Sequence, residues 1–432
     1  MKLRKLIALV LALAMMALWS AFPASADETA ENVIFICDGA EGDGSSADSP
    51  LKPTTGNYDP TQPFPDRDMD TALYQAWEKL MKLGGGTIVI CGPYTLNDSN
   101  CAPIGGSSAD FRMPAIEHRP GITITYTSVW DGVDYRQTNG AELILDERAH
   151  ITFPTATVLE NITIRGTAQN GEHFIAAGLN DLTLSKGTNF VPFAEGDLEA
   201  YPIILGSFRS NAGALKDGHS NIIVDIGDEN YIGNIFGMCN GGDGKHTGNT
   251  NITIKSGNIG NIYGDSRATS QVPQVGNINI NLEGGIYHGI IAGCNVGFVG
   301  NCDKTVNITV TGGNFDNCAG IVSYTDNADA NLPANFNVDC SAVSDATAAK
   351  IAGLVSEDAN LTLPEGYEFP KDDPGTEPEL TTPSTPADTE PAPTQPSSGN
   401  AAPAGGPNAL LVVAVAVLAG AIVALVALLK KK

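Results

Sequence analysis

Asp225, Asp243, Asp265 and Arg267 are the residues of this chain whose types and spacing best suit chemistry. Carboxylates gathered on one face can hold Ca²⁺ against an acidic sugar, or divide the roles of acid and base at a glycosidic bond. An arginine beside the sugar could act as the base of a lyase. Tyr263, Tyr287 and His288 add flat rings of the kind that pack against sugars. The ligand-binding candidates are therefore Asp243, Tyr263, Asp265, Arg267, Tyr287 and His288, and none is given a catalytic role. No cofactor or metal site is expected, although the acidic balance permits Ca²⁺. The six histidines are scattered without metal-ligand spacing, and the eight cysteines contain no Cys-x-x-Cys.

Two further motifs bear on catalysis. Gly264-Asp265-Ser266 follows a strand-like run and, with Asp243-Gly244-Lys245-His246, resembles the serine esterases that pair such a serine with Asp-x-x-His. Here the Asp-x-x-His precedes the serine. Moreover, Ile262-Tyr263-Gly264-Asp265 fills the same slot as Ile235-Phe236-Gly237-Met238, so a repeat accounts for the glycine and the strand. Adjacent aspartates of the hydrolase kind occur only at Asp372-Asp373, far outside the repeats.

The repeat is the strongest feature of the chain. An asparagine followed by alternating apolar residues begins at Asn221, Asn251, Asn279, Asn307, Asn335 and Asn360, at intervals of 30, 28, 28, 28 and 25. A glycine follows six residues later at Gly257, Gly285 and Gly313. A third β-prone phrase closes each unit, as in Asn261-Ile262-Tyr263-Gly264 and, last, Ala352-Gly353-Leu354-Val355-Ser356. Upstream, runs beginning at Gly121, Glu142, Asn161, Asp181 and Pro202 recur roughly every 20 residues. The runs are too short for helices and alternate apolar with polar, so each predicts a half-buried strand. Asn-Ile-Thr at 161, 251 and 307 matches a glycosylation sequon, but stacked turn asparagines explain it better.

Short strands at a fixed period, without helices between them, predict a solenoid. Each strand would pair with its equivalent one coil away, and roughly ten coils would make a rod of about 45–50 Å. These residues resemble the right-handed parallel β-helix proteins of the pectate-lyase-like superfamily, over most of Cys37–Glu365. The entry segment shares the likeness: Gly42-Asp43-Gly44, a helix over about 68–83, then Gly84-Gly85-Gly86-Thr87-Ile88-Val89-Ile90. The resemblance implies that this helix caps the first coil. On its own terms the helix shows a stripe of Met69, Leu73, Ala76, Leu80 and Leu83, with Asp68 or Asp70 as cap and Gly84 as stop. Cys37 and Cys91 close two strand-like runs in register, which suits either a disulfide or two buried thiols.

The ends predict where the solenoid stands. Residues 1–26 read as a cleaved signal peptide: basic Lys2, Arg4 and Lys5, an apolar run, then Ala24-Ser25-Ala26. Residues 370–408 form a Pro/Thr/Ser-rich linker expected to be disordered. Residues 409–429 are uncharged and long enough to cross a bilayer, and Lys430–Lys432 place the C-terminus in the cytoplasm. Residues 1–26 and 409–432 hold six of the 24 basic residues and none of the 49 acids, leaving a formal charge near −31 between them. That balance argues against nucleic-acid partners and anionic membrane surfaces. The expected architecture is all-β: a β-helix entry region at 27–120, coils at 121–369, a stalk and one membrane helix. The expected role is adhesion or glycan binding at a bacterial cell surface, without catalysis. A tethered polysaccharide lyase or glycosidase is the alternative, and a structural spacer the third reading.

Overall fold

The computed structural model describes residues 32–53, 72–97, 121–146, 149–167, 173–197, 200–207, 218–239, 248–266, 276–294, 304–324 and 333–368. It also describes the backbone of 102–103, 111–112, 215–216 and 245–246. The signal-peptide, linker, membrane-helix and Lys-tail readings lie outside these residues. Among the described residues no helix is long and apolar enough to cross a membrane.

The chain is mostly β, and its long sheets are built by strands pairing with the next coil. The first sheet has eleven strands, all parallel and in chain order, from Val33–Ile36 through Thr250–Ser256 to Asn360–Thr362. The second also follows chain order, from the short pair near residues 102–112 through Ile203–Leu205 and Asn258–Tyr263 to Gly320–Tyr324. A third sheet joins Tyr94–Leu96, Leu143–Leu145, Thr163–Gly166 and Asn189–Val191. This arrangement fits a parallel β-helix with repeating coils. Ten inter-strand steps give the first sheet a stack of about 48 Å.

Alternation sets which side chains enter the core. In the first sheet Ile222, Ile252, Ile280, Ile308 and Val338 stack inward and are buried. Their neighbours on either side face outward. Ile235, Ile262, Ile291 and Ile321 form the matching inward column of the second sheet.

Two kinds of glycine column shape the coil. Gly257, Gly285 and Gly313 have φ of 123°, 86° and 109°, which only glycine adopts without strain, and they turn the chain from the first sheet to the second. Gly237, Gly264 and Gly293 serve differently. A Cβ on Gly264 would sit 2.3 Å from Ile278 Cγ2 and 2.6 Å from the Gly293 carbonyl. Gly237 faces Thr250 and Gly293 faces Val306 in the same way. These glycines leave room for the next first-sheet residue to pack at the corner.

The structure corrects several expectations. The upstream runs near 121, 142, 161, 181 and 202 are not equivalent. They belong to the first, third, third, first and second sheets respectively. The true first-sheet partners are Ile124, Thr157, Leu182 and Ile222, at intervals of 33, 25 and 40. Asn307 pairs with Asn337, not with Asn335, so the last coils are offset by two residues from the sequence alignment. Residues 352–356 are not a strand: a helix, Asp345–Ala352, runs into them, with the Ser344 hydroxyl accepting from the Thr347 N–H. Val355 then bridges to Ile321.

The entry helix spans Ala72–Leu83 and packs on strands Val33–Ile36 and Gly86–Ile90. Leu73, Ala76 and Leu80 are buried as expected, together with Ala72, Trp77 and Met81. Leu83 is 54 % exposed and leaves the stripe, because the chain turns away at Gly84. Met69, Asp68 and Asp70 lie outside the described residues. Trp77 is the largest fully buried side chain, and its indole N–H donates to the Tyr126 hydroxyl.

Candidate binding face

The outward positions of the first sheet form columns along the stack. One column carries Asn221, Asn251, Asn279, Asn307, Asn337 and Asn360 in direct register. Beside it stand Thr253, Asn281, Thr309, Asp339 and Thr362. The face is thus almost wholly neutral amide and hydroxyl.

The amides are linked head to tail. Asn279 Nδ2 donates to Asn251 Oδ1 at 2.9 Å, Asn307 to Asn279 at 3.0 Å, Asn337 to Asn307 at 2.9 Å, and Asn360 to Asn337 at 3.1 Å. Every donor points toward the N-terminal end. Further along the column, Asn221 Nδ2 donates in the same direction to Asp181 Oδ1 at 3.0 Å. Each ladder bond leaves the amide a second N–H and a second oxygen lone pair for an outside partner. Because neighbours fix the amide orientations, these spare groups are aligned in advance of any ligand.

A groove of about 600 Å³ lies along this face, lined by the ladder from Asn251 to Asn360 with Asn281, Thr309, Asp339 and Thr362. Four inter-coil steps give the ladder portion a length of about 19 Å. The one carboxylate in it, Asp339, is held below the usual range by the backbone N–H and hydroxyl of Ser341. The groove therefore offers hydrogen-bond donors and acceptors with a single negative charge near one end.

The residues singled out from the sequence are dispersed. Tyr287 is 1 % exposed, stacks on Phe315 at 4.8 Å and donates its hydroxyl to the Gly284 carbonyl at 2.5 Å, so it belongs to the core. His288 Nε2 lies 2.9 Å from Asn258 Oδ1, and its ring sits 5.5 Å from Tyr231, which stacks on Tyr201 at 5.1 Å. These three rings face one another from coil to coil, so their inner faces are already covered. Tyr263 stacks on Phe236 at 4.6 Å and packs against a small buried apolar cluster on the second sheet. Asp265 is 6 % exposed, and Ser266 Oγ lies 3.3 Å from Cys239 Sγ. Asp243 and Arg267 lie outside the described residues.

The expected convergence of carboxylates can be tested in part. Asp225 accepts from Ser256 Oγ at 2.7 Å, at the exit of the first sheet. Asp265 follows the far end of strand Asn258–Tyr263. A six-residue strand of about 20 Å lies between the two positions along the coil. Among the described residues no group of three His, Cys, Asp or Glu side chains could hold a metal ion.

The amide ladder was present in the sequence as the recurring asparagine, where it signalled stacking; that it also lines a groove needed the fold. No family model, curated protein or solved structure matches this chain.

Proposed function

We propose that this chain is a bacterial surface protein that binds a neutral, extended glycan along the amide face of its first sheet. The carrying observation is the groove lined by the Asn251–Asn360 ladder, with its aligned spare donors and acceptors. Hydroxyl-rich chains satisfy such groups in repeated fashion. The acidic charge of the region disfavours polyanionic ligands. In this reading the stack is a right-handed, pectate-lyase-like β-helix. The membrane segment at 409–429 tethers it, and the linker at 370–408 lifts it from the surface.

A glycan array probed with residues 27–369, run beside an assay for unsaturated uronide release, tests the proposal. The expected result is retention of neutral glycans, weakened at least tenfold by Asn279→Ala with Asn307→Ala. Release of unsaturated uronides from any polyuronate would replace binding with lyase activity. Absence of retention on every glycan would leave the spacer reading in its place.

A further inference from the structure

The cysteines are a feature that the binding face does not use. None of the six described cysteines is joined in a disulfide. Cys239 Sγ meets Ser266 Oγ, Cys318 and Cys340 lie against the carbonyls of Gly289 and Thr362, and Cys294 is opposite Tyr324 in register.

Cys37 and Cys91 are placed together. They follow Ile36 and Ile90, which are register partners in the first two strands of the first sheet. The Cys91 N–H donates to the Ile36 carbonyl at 3.1 Å, and the Asp38 N–H donates to the Pro93 carbonyl at 2.8 Å. These bonds hold the two cysteines side by side at the strand spacing of about 4.8 Å, within the Cα separation that a disulfide spans. The Cys91 thiol lies against the Ile36 carbonyl at 3.5 Å, at the residue that precedes Cys37. Both pack in one apolar patch with Phe35, Val89, Trp130 and Tyr135.

We propose that Cys37 and Cys91 are oxidised to a disulfide that ties the first coil to the second. Cys37 is half-buried and Cys91 buried, so Cys37 meets the oxidant first. With glutathione disulfide, the Cys37 thiolate attacks one sulfur, forms a mixed disulfide and releases one glutathione thiolate. The Cys91 thiolate then attacks the Cys37 sulfur and releases the second. The two protein thiols lose two electrons and two protons, and glutathione disulfide is reduced to two thiols. Burial raises both thiols, Cys91 to about 12, so the rate rises with pH across the alkaline range. The bond closes a loop that contains the entry helix and restricts the unfolded chain.

The test exposes the purified full chain to glutathione disulfide, alkylates the remaining thiols and maps the products by mass spectrometry without reduction. A peptide pair joining Cys37 to Cys91 is expected, with Cys239, Cys294, Cys318 and Cys340 alkylated after unfolding. Oxidised chain should melt several degrees above reduced chain, and Cys37→Ser should abolish that difference. Recovery of Cys37 and Cys91 as alkylated thiols, as lasting glutathione adducts, or joined to Cys101 or Cys302 would overturn the proposal. The mapping uses the unaltered chain, so it stands even if the variant folds poorly.

Discussion

At the scale of single residues, position in the coil decides what a residue type means. Gly264 has the look of a turn residue, yet its φ is not in the positive set and its role is clearance. An added methyl would meet the Ile278 side chain and the Gly293 carbonyl together, and the backbone oxygen cannot swing aside. Gly264→Ala should therefore destabilise by about 1–3 kcal/mol, the range for overpacking a tight core. Gly140 has a φ of 65° with nothing within 4 Å of its would-be Cβ. Gly140→Ala should cost only the left-handed penalty, about 1–2 kcal/mol. Urea midpoints of the two variants give the comparison. Relief of the Gly264→Ala defect by Ile278→Ala should be partial, because the Gly293 carbonyl remains; full relief would show that the side chain alone sets the limit. Tyr287 teaches the same lesson. It resembles a sugar-stacking residue in the sequence, but its ring fills the core beside Phe315.

At the scale of elements, the strands were legible and their register was not. Alternation marks Asn-Ile-Thr-Ile as a half-buried strand wherever it occurs, because one face must enter the core. A slip of one residue would expose that face, but a slip of two leaves it unchanged. Asn335-Phe336-Asn337-Val338 offers two equivalent asparagines, and the sequence alignment chose the first. The fold chooses the second, setting Phe336 beside Val306 and Val338 beside Ile308. The upstream runs misled for a related reason: strands of three different sheets look alike when each alternates. The closing helix Asp345–Ala352 was missed although Ser344 and an alanine-rich turn announce it, because the expected beat overrode the local cap. Register is open to a double-mutant cycle. Asn307→Ala with Asn337→Ala should show a coupling of about 1 kcal/mol, the net worth of one hydrogen bond. Asn307→Ala with Asn335→Ala should be additive. Coupling in the second pair instead of the first would restore the sequence register.

At the scale of the whole molecule, a stack in which each coil touches chiefly its neighbours has no single centre. Groups of like environment recur along it, and the buried thiols and phenols are the clearest case. Burial raises the thiols of Cys37, Cys91, Cys318 and Cys340, with the Asp339 carboxylate adding to the effect at Cys340. It likewise raises the phenols of Tyr126 and Tyr287. In each, the folded chain disfavours the anion that the unfolded chain forms readily. Stability linked to these groups is complete below their unfolded values and is lost as pH rises above them, for Cys91 from 9.0 toward about 12. The carboxylates act in the other direction. Arg136 holds Asp134 below the usual range, so its contribution is present at neutral pH and fades as pH falls below about 4. The melting temperature of the reduced chain should accordingly be level near neutrality and fall steadily from about pH 9, as followed by circular dichroism. Oxidation of Cys37 and Cys91 removes two titrating thiols, so the oxidised chain should hold its melting temperature further into the alkaline range. A reduced chain whose melting temperature stays level to pH 11 would mean that the buried thiols and phenols ionise as freely in the folded coils as in the unfolded chain.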